Sequence, residues 1–448
     1  MAGKIKEIID NVIKHRSKGN PAIAEMTKTK FILKGINPNK FDSNSYDDPI
    51  IIEKLIKIVE QMDVKNSVYK GINIRSVFST KSLEKEVVED IKNKLAPCNA
   101  KLIIFFASSK FDQYKLSNLM KEAFKDCLVV GCSTSGEIVS GKLLKNSVVA
   151  MAFNSNIVSD AKVEVIEKMK QGLDVERAFT SLEEYFNESA YTMNTKKFVG
   201  IVLIDGVSKK EENIMDLIGN RTNVFFIGGS AGDDYNFKKT YVLANGKAYT
   251  DSAVIIMLKI SDNAEFSIIK TESFKCLDTV LTANKVDESN REVIEFNNKP
   301  AIVAYSNAVG AHSIEDAQNY FTINPVGLVI GKNDVFVRSP QQVKGTSMLF
   351  YCNILEGTEV RLLQSTNIIE DTKRAIESKI NEFGKIDGII NFNCVQRTRE
   401  LKKKGLEEQY RDIFKDIPTI GFSCYGEEFI GHMNQTATMV VFKSKTNI

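Results

Sequence analysis

The chain has 448 residues, of which 43% are hydrophobic and 26% are charged, and these proportions exclude a disordered or fibrous protein. Its 60 basic side chains nearly balance 57 acidic ones, and the net charge of +3 gives no reason to expect a nucleic acid or an anionic membrane as partner. No apolar run approaches the roughly 18 residues that a membrane helix needs. The length predicts two or more domains.

The start of the chain and its cysteines indicate the compartment. The residues MAGKIKEIIDNVIKH contain early lysines and no apolar stretch of the signal-peptide type. The seven cysteines are scattered and never form a C-x-x-C pair. Without an export signal such thiols are expected to be reduced, so we expect a cytoplasmic protein.

Residues 1–66 are predicted to form a helical N-terminal extension. Apolar residues recur at helical spacing from Ile5 to Ile13 and again from Ile52 to Val59, and Pro49 suits the first position of the second helix. Between these helices, KTKFILKGINPN favours a short strand that ends in a turn. A unit of this size has little room for its own core, so its apolar stripes are expected to pack on the main body or on a partner.

From about residue 70, strands alternate with helices, and one order occurs three times. Each copy has a strand, a polar loop, a helix and a second strand that ends in a glycine-rich turn: GCSTSGE (131–137), GGSAGD (228–233) and GFSCYGE (421–427). Period-two segments follow each turn, with Asn245-Gly246 as a hairpin signal. We therefore predict a mixed α/β fold of repeated strand–helix–strand units with added antiparallel hairpins.

The first turn raises the question of serine catalysis at Ser133. A G-x-S-x-G nucleophile elbow needs a glycine two residues after the serine, where this chain has Ser135. A serine triad also needs a histidine, and the chain has three in all. We therefore expect the Ser133 hydroxyl to cap local structure or to face a ligand, and we assign no catalytic residue.

Thiol, metal and phosphate chemistry are each weakly indicated. Cys394 is the best candidate thiol, because the guanidinium of nearby Arg397 can lower a thiol pKa, although buried cysteines are more often inert. Cys424 and His432 are eight positions apart without a second pair, so no metal site is predicted. The GGSAG segment lacks the lysine of a phosphate-binding P-loop, and no cofactor is predicted.

Hydroxyl and acidic groups follow the three turns at strand ends, where open α/β sheets bind their ligands. Arginine suits the capture of a carboxylate, and an arginine together with an acidic group is what an α-amino acid requires. The residues of the predicted ligand site are Ser133, Glu137, Ser230, Asp233, Arg338, Cys394, Arg397, Ser423 and Glu427.

Several ordered blocks resemble the FIST domain (F-box and intracellular signal transduction), a bacterial sensory module. The blocks LIIFFASS, VVGCSTSGEI and FFIGGSAGDD resemble its N-terminal half, and NKPAIVAY, NFNCVQR and GFSCYGEE resemble its C-terminal half. We place the two halves at residues 67–290 and 291–448. The resemblance implies a sensor of a small ligand such as an amino acid or its derivative.

The leading hypothesis is therefore a cytoplasmic sensor, not an enzyme, that binds a small metabolite. No kinase, cyclase, chemoreceptor coiled coil or DNA-reading module is evident in the sequence, so the signal is expected to pass to a separate protein. Two alternatives stay open. One is a thiol-dependent or amide-processing enzyme that uses the same turns, and the weaker one is a redox sensor that uses the scattered thiols.

Overall fold

The structure is a computed structural model that describes residues 3–60, 73–96, 98–331 and 334–445. Its mixed sheets and flanking helices confirm the predicted mixed α/β class. None of the helices in these ranges combines the length and the apolarity needed to cross a membrane.

The N-terminal unit is helical and differs from the prediction at one segment. Its helices are α1 (Lys4–Ser17), α2 (Pro21–Leu33) and α3 (Pro49–Glu60), with a short 3-10 turn at Pro38–Lys40. The strand predicted for KTKFILKGINPN (28–39) was wrong, because the first half of this segment lies in α2. The side chain of Asn20 accepts hydrogen bonds from the first N–H groups of α2 and Pro21 occupies its first turn, and this start signal outweighs the apolar run that ends the helix.

The apolar stripes of this unit bury one another. Ile9 and Val12 of α1, Phe31 of α2, and Leu55 and Val59 of α3 belong to one buried cluster made of residues from these helices and the segment that joins them. The unit thus has a small core of its own. The last residues of the predicted extension, 61–66, lie outside the described residues.

Three units of the same element order follow, and the predicted repeat is confirmed. The first unit contains β1 (Ile74–Ser79), α4 (Glu84–Leu95), β2 (Ala100–Ser108), α5 (Gln113–Ala123), β3 (Leu128–Thr134), β4 (Glu137–Val139), β5 (Lys142–Leu144) and β6 (Val148–Asn154). The second contains β7 (Val158–Ile166), α6 (Val175–Phe186), β8 (Phe198–Ile204), α7 (Glu211–Arg221), β9 (Phe226–Ser230), β10 (Val242–Ala244), β11 (Lys247–Tyr249) and β12 (Ala253–Ile260).

The third unit has a large insertion after its first strand, β13 (Ala264–Glu272). The insertion contains β14 (Phe274–Asp287), β15 (Glu292–Phe296), β16 (Lys299–Pro300), α8 (Ala301–Val309), α9 (Ile314–Ala317), β17 (Val326–Ile330), β18 (Asp334–Arg338), β19 (Pro340–Lys344), β20 (Ser347–Phe350) and β21 (Glu359–Ser365), with 3-10 turns at Glu288–Asn290 and Gln318–Tyr320. The unit resumes with α10 (Ile368–Phe383), β22 (Gly388–Cys394), α11 (Val395–Lys404), α12 (Glu407–Asp412), β23 (Thr419–Cys424), β24 (Glu427–Phe429), β25 (Gly431–Met433) and β26 (Thr436–Ser444).

Each unit builds a six-stranded sheet, and each sheet is completed by a hairpin from another unit. The strand orders are β1-β6-β2-β3-β10-β11, β7-β12-β8-β9-β24-β25 and β13-β26-β22-β23-β4-β5. The first unit therefore lends β4–β5 to the third sheet, the second lends β10–β11 to the first, and the third lends β24–β25 to the second. The exchange is cyclic, so the three units are interlocked.

The repeated glycine that opens each turn motif lies within a strand and is required by close packing. Gly131, Gly228 and Gly421 each pair with a residue of the neighbouring parallel strand. A Cβ at these three positions would lie 1.7 to 2.2 Å from the carbonyl oxygen of that partner residue. No other residue type fits there without moving the backbone of the neighbouring strand.

The three sheets share one apolar core and carry helices on their outer faces. Phe106 of the first sheet lies 4.5 Å from Phe422 and 6.2 Å from Phe392 of the third, measured between ring centroids. Helices α4 and α5 cover the first sheet, α6 and α7 the second, and α10 to α12 the third. We refer to these three units together as the body.

The insertion forms a fourth sheet with its own core. Its strand order is β18-β17-β21-β14-β15-β20-β19, with β16 paired to β15. Phe296, Tyr305 and Phe350 are among the buried residues of its separate apolar cluster. The predicted boundary between residues 290 and 291 falls inside this sheet, between β14 and β15.

Candidate functional site

The three predicted turns meet in the body because of the hairpin exchange. The backbone carbonyls of Ser133, Ser230 and Ser423 each accept a hydrogen bond, 3.0 to 3.2 Å long, from a backbone N–H in the turn of another unit. The three serines are buried and occupy equivalent positions in their units. The structure therefore brings these predicted residues into one layer of contacting turns.

The hydroxyl groups of these serines all have partners inside the protein. Ser133 Oγ donates to the carbonyl of Gly232 at 2.9 Å and accepts from a backbone N–H at 3.0 Å. Ser423 Oγ lies 2.7 Å from Thr398 Oγ1, and Ser230 Oγ lies 3.3 Å from each of two buried carboxylates. These bonds link neighbouring elements of the body.

Two predicted acidic residues, Glu137 and Glu427, are buried directly after their turns. Glu137 Oε2 accepts from Ser147 N at 3.1 Å and from Ser147 Oγ at 2.6 Å. Glu427 Oε2 accepts from Thr436 N at 3.0 Å and from Thr436 Oγ1 at 2.6 Å. Burial raises the pKa of each glutamate to about 7, and the hydroxyl donors oppose that shift.

The third acidic residue, Asp233, organises the loop that follows the second turn. Its carboxylate accepts from the backbone N–H groups of Phe237, Lys238 and Lys239 at 2.8 to 3.0 Å. The hydroxyl of Tyr425, from the third unit, donates to the same carboxylate. Asp233 thus fills the ring of amides that an anionic ligand would otherwise occupy.

The predicted effect of Arg397 on the pKa of the Cys394 thiol is not found in the structure. Burial raises the pKa of Cys394 well above its ordinary value, and the neighbouring Glu427 adds to that increase. The expected lowering by Arg397 was wrong, because the guanidinium of Arg397 points to other partners. It donates to Asn393 Oδ1 at 3.1 Å and to two buried hydroxyls at 2.7 and 3.2 Å. Arg397 lies in α11, which directly follows the buried strand β22.

Arg338 lies away from the turns, where the fourth sheet meets the body. It ends β18, and its Nε donates to the carbonyl of Asn353 at 2.8 Å. Its Nη1 donates to the carbonyls of Val337 and His432 at 3.3 and 3.2 Å. Of the predicted site residues, this one belongs to the interface between body and insertion.

Sequence reasoning missed a charged cluster at this same interface. Arg291, in the turn just before β15 of the insertion, places Nη2 2.7 Å from Glu211 Oε2 and 2.6 Å from Glu212 Oε2, both in the first turn of α7. The hairpin β24–β25 contributes Glu428 and His432, whose Oε1 and Nδ1 atoms lie 2.8 Å apart. Cys352 completes the set, and we name these residues the junction cluster: Glu211, Glu212, Arg291, Cys352, Glu428 and His432.

The groups of the junction cluster strongly affect one another. Burial alone lowers the pKa of His432, but Cys352 and Glu428 beside the ring raise it well above its ordinary value. For the carboxyl group of Glu212 the effects are reversed: burial raises its pKa, but the positive charges of His432 and Arg291 lower it to about 2. Such perturbed groups are common at functional sites, although structural ion pairs show them too.

Part of the hydrogen-bonding capacity at this interface is unused. Within the described part of the chain, Asn353 Oδ1, Glu428 Oε2 and Asn434 Nδ2 are buried and have no hydrogen-bond partner. Glu212, Cys352 and His432 each offer one ligand atom, and these atoms lie within 4.8 Å of one another. No local spacing in the sequence links these three residues, since they come from segments about 80 to 140 positions apart. The one signal that the sequence offered for this cluster was that the chain has just three histidines, of which His432 is one.

Comparison with known proteins agrees with the repeated blocks. The FIST N domain family matches residues 101–299, and the FIST C domain family matches residues 301–429. An uncharacterized protein of Methanocaldococcus jannaschii is 23% identical over 355 residues, which cover 74% of this chain but only 66% of that relative. Because the two family matches together span most of the sequence, the chain belongs to the FIST family.

Proposed function

We propose that the protein is a sensory component of signal transduction that binds a small metabolite between the body and the fourth sheet. FIST membership supports a sensory role. The observation that carries the choice of place is Arg338. Among the described residues this half-buried guanidinium forms no ion pair, and the hydrogen bonds it donates go to backbone carbonyls. A positive group held by neutral acceptors suits an incoming carboxylate.

An amino acid or a derivative is the ligand class that this arrangement favours. Asn353, whose carbonyl holds Arg338, also has a buried side-chain oxygen without a donor. An ammonium group can supply that donor while the ligand carboxylate pairs with Arg338. The two halves of an α-amino acid would then satisfy two neighbouring groups of the interface.

The proposal includes a separate signalling partner and a cytoplasmic location. Each of the seven cysteines is free, which supports a reducing compartment. The fourth sheet and the body have separate apolar cores and meet through polar contacts such as Arg291 with Glu211 and Glu212. A ligand at this interface can therefore change how the two parts sit without disrupting either core, and a partner can recognise that change.

The test begins with a thermal-shift screen of amino acids and their derivatives, followed by calorimetric titration of the best ligand. Arg338→Gln should weaken binding by about 2–5 kcal/mol if the ion pair is desolvated. Asn353→Ala should weaken the binding of the amino acid more than the binding of its deaminated analogue. Arg361→Gln, an exposed arginine on the same sheet, serves as the control. If folded Arg338→Gln binds like the parent protein, the proposed site is wrong.

A thiol-dependent enzyme remains the second candidate, favoured by one observation. The His432 ring lies within 4.8 Å of the Cys352 sulfur and 2.8 Å from Glu428. In space this is the arrangement of a nucleophile, a base and a group that orients the base. However, Cys352 and His432 are 0% and 3% exposed, which leaves little access for an organic substrate. Cys352→Ala should abolish turnover of an activated ester or amide if this candidate is correct, whereas Cys394→Ala should not.

A further inference from the structure

We infer that Glu212, Cys352 and His432 bind one divalent transition-metal ion of the zinc class. The inference does not depend on the proposed metabolite site, because none of these three side chains is assigned to hold the metabolite. The three residues come from different parts of the fold: the first turn of α7, the segment after β20 and the hairpin β24–β25. Only the folded chain brings them together.

The distances suit a single ion. One carboxylate oxygen of Glu212, the Cys352 sulfur and a ring nitrogen of His432 lie within 4.8 Å of one another. Tetrahedral zinc with bonds of about 2.0–2.3 Å holds its ligand atoms roughly 3.3–3.8 Å apart. Side-chain adjustments of about 1 Å would therefore complete the coordination, and a fourth position would remain for water.

The donor types select the class of metal. A thiolate, an imidazole and a carboxylate together are ligands of Zn²⁺ and similar ions, whereas Ca²⁺ and Mg²⁺ take oxygen ligands. The Nδ1 atom of His432 is engaged by Glu428 at 2.8 Å. This contact leaves Nε2 for the metal and fixes the ring, as carboxylate–histidine pairs commonly do in metal sites.

Two independent features of the cluster favour the binding of a metal cation. Glu428 is 0% exposed, yet its Oε2 has no hydrogen-bond partner among the described residues. The cluster holds three carboxylates: Arg291 pairs with those of Glu211 and Glu212, and His432 pairs with that of Glu428. A bound dication offsets the excess negative charge, including that of a Cys352 thiolate.

An ion suits the available space better than an organic molecule. Cys352 and His432 are almost completely buried, and Glu212 retains 14% of its side-chain exposure. The carboxylate of Glu212 therefore provides the side from which a small ion can enter. The competing structural explanation is a simple ion pair of protonated His432 with Glu428, which requires no metal.

The decisive experiment uses the full chain, stripped with a chelator and then titrated with Co²⁺ or Zn²⁺. We expect one metal per chain by elemental analysis, a thiolate-to-cobalt charge-transfer band, and displacement of cobalt by zinc. Glu212→Gln, Cys352→Ser and His432→Gln should each weaken cobalt binding by at least about 100-fold, because outer partners alone contribute about 10–100-fold. Cys352→Ser should also remove the charge-transfer band.

Two further variants separate the metal site from general damage. Glu428→Gln should weaken binding by about 10–100-fold while keeping the charge-transfer band, because it disturbs only the orientation of His432. Cys424→Ser is the matched control, since this cysteine is equally buried but lies outside the cluster, and it should bind cobalt like the parent.

The inference fails if the stripped parent protein shows no thiolate-to-cobalt charge-transfer band after Co²⁺ is added. It also fails if folded Cys352→Ser, treated in the same way, shows the same band as the parent. Glu212→Gln is the variant that best tolerates folding, because this side chain is partly exposed at the start of α7. If the other variants do not fold, Glu212→Gln together with the parent stoichiometry decides. Unchanged cobalt affinity in Glu212→Gln would then overturn the assignment.

Discussion

Glu137 and Glu427 are equivalent residues of two interlocked units, and each is bound by the same pattern of donors. In each case one donor lies three positions earlier, Thr134 or Cys424, and two donors belong to one residue of the following strand segment. The unit repeat therefore extends to buried hydrogen bonds as well as to strand order. A carboxylate in such a setting is expected to hold two elements together.

The first prediction concerns the pH dependence of stability. Burial raises the pKa of Glu137 and Glu427 to about 7 in the folded protein. The unfolded chain loses these protons first, near its ordinary value of about 4.3, so stability should fall as the pH rises from about 4.5 through 7. Each residue can contribute about 3 kcal/mol to this fall.

Urea unfolding at about pH 5 and pH 8 checks this prediction. Glu137→Gln or Glu427→Gln should reduce the difference between the two free energies of unfolding, because an amide does not titrate. Glu408→Gln changes an exposed carboxylate and should leave the difference unaltered. A difference that is unchanged in both buried variants would show that these carboxyl groups do not titrate in this range.

The second prediction concerns the glycine that is repeated in each unit. At Gly228 a Cβ would lie 1.7 Å from the carbonyl oxygen of Val202. Gly228→Ala should therefore destabilise the protein by more than about 4 kcal/mol or prevent folding. Gly219→Ala is the control, because nothing lies within 4 Å of the added Cβ in α7, and it should stabilise the helix by about 1 kcal/mol. Circular dichroism melting compares the two, and equal melting temperatures would contradict the packing argument.

The third prediction is that Arg397 stabilises the folded protein and does not bind the ligand. This buried guanidinium donates to Asn393, Ser273 and Thr372, which join β22 to the segments around α10. Arg397→Met should lower the free energy of unfolding by about 3 kcal/mol, because polar groups are left without their donor. Arg399→Met, at an exposed position of the same helix, should have little effect. If Arg397→Met is as stable as the parent but loses ligand binding, Arg397 belongs to the ligand site.

The fourth prediction concerns thiol reactivity. Cys132, Cys394 and Cys424 are buried, and burial raises the pKa of all three thiols well above the ordinary value. Iodoacetamide at neutral pH should therefore modify exposed Cys276 in the folded protein and the other three only after unfolding. Peptide mass spectrometry locates the label, and Cys276→Ser should remove most of the early modification. Rapid labelling of Cys394 in the folded state would revive the thiol-enzyme hypothesis.

The local features of this protein were evident in the sequence. Strand and helix periodicities, the repeated turns and the Asn245-Gly246 hairpin depend on residues close in the chain, and the hairpin is present between β10 and β11. The difference at α2 also has a local cause, because Asn20 and Pro21 form a helix start signal ahead of the apolar run. The blocks that resemble FIST domains identified the family for the same reason, since a family pattern is a property of residue order.

Tertiary structure alone decided how these pieces are connected. No local pattern states that the hairpin after Glu137 joins the sheet of the third unit, or that the insertion forms a separate sheet. Burial is also a non-local property, so acidic residues that looked available to a ligand are enclosed by neighbouring units. For the same reason Glu212, Cys352 and His432 meet only after folding. Sequence determined which local elements form, and long-range packing determined which side chains share a site.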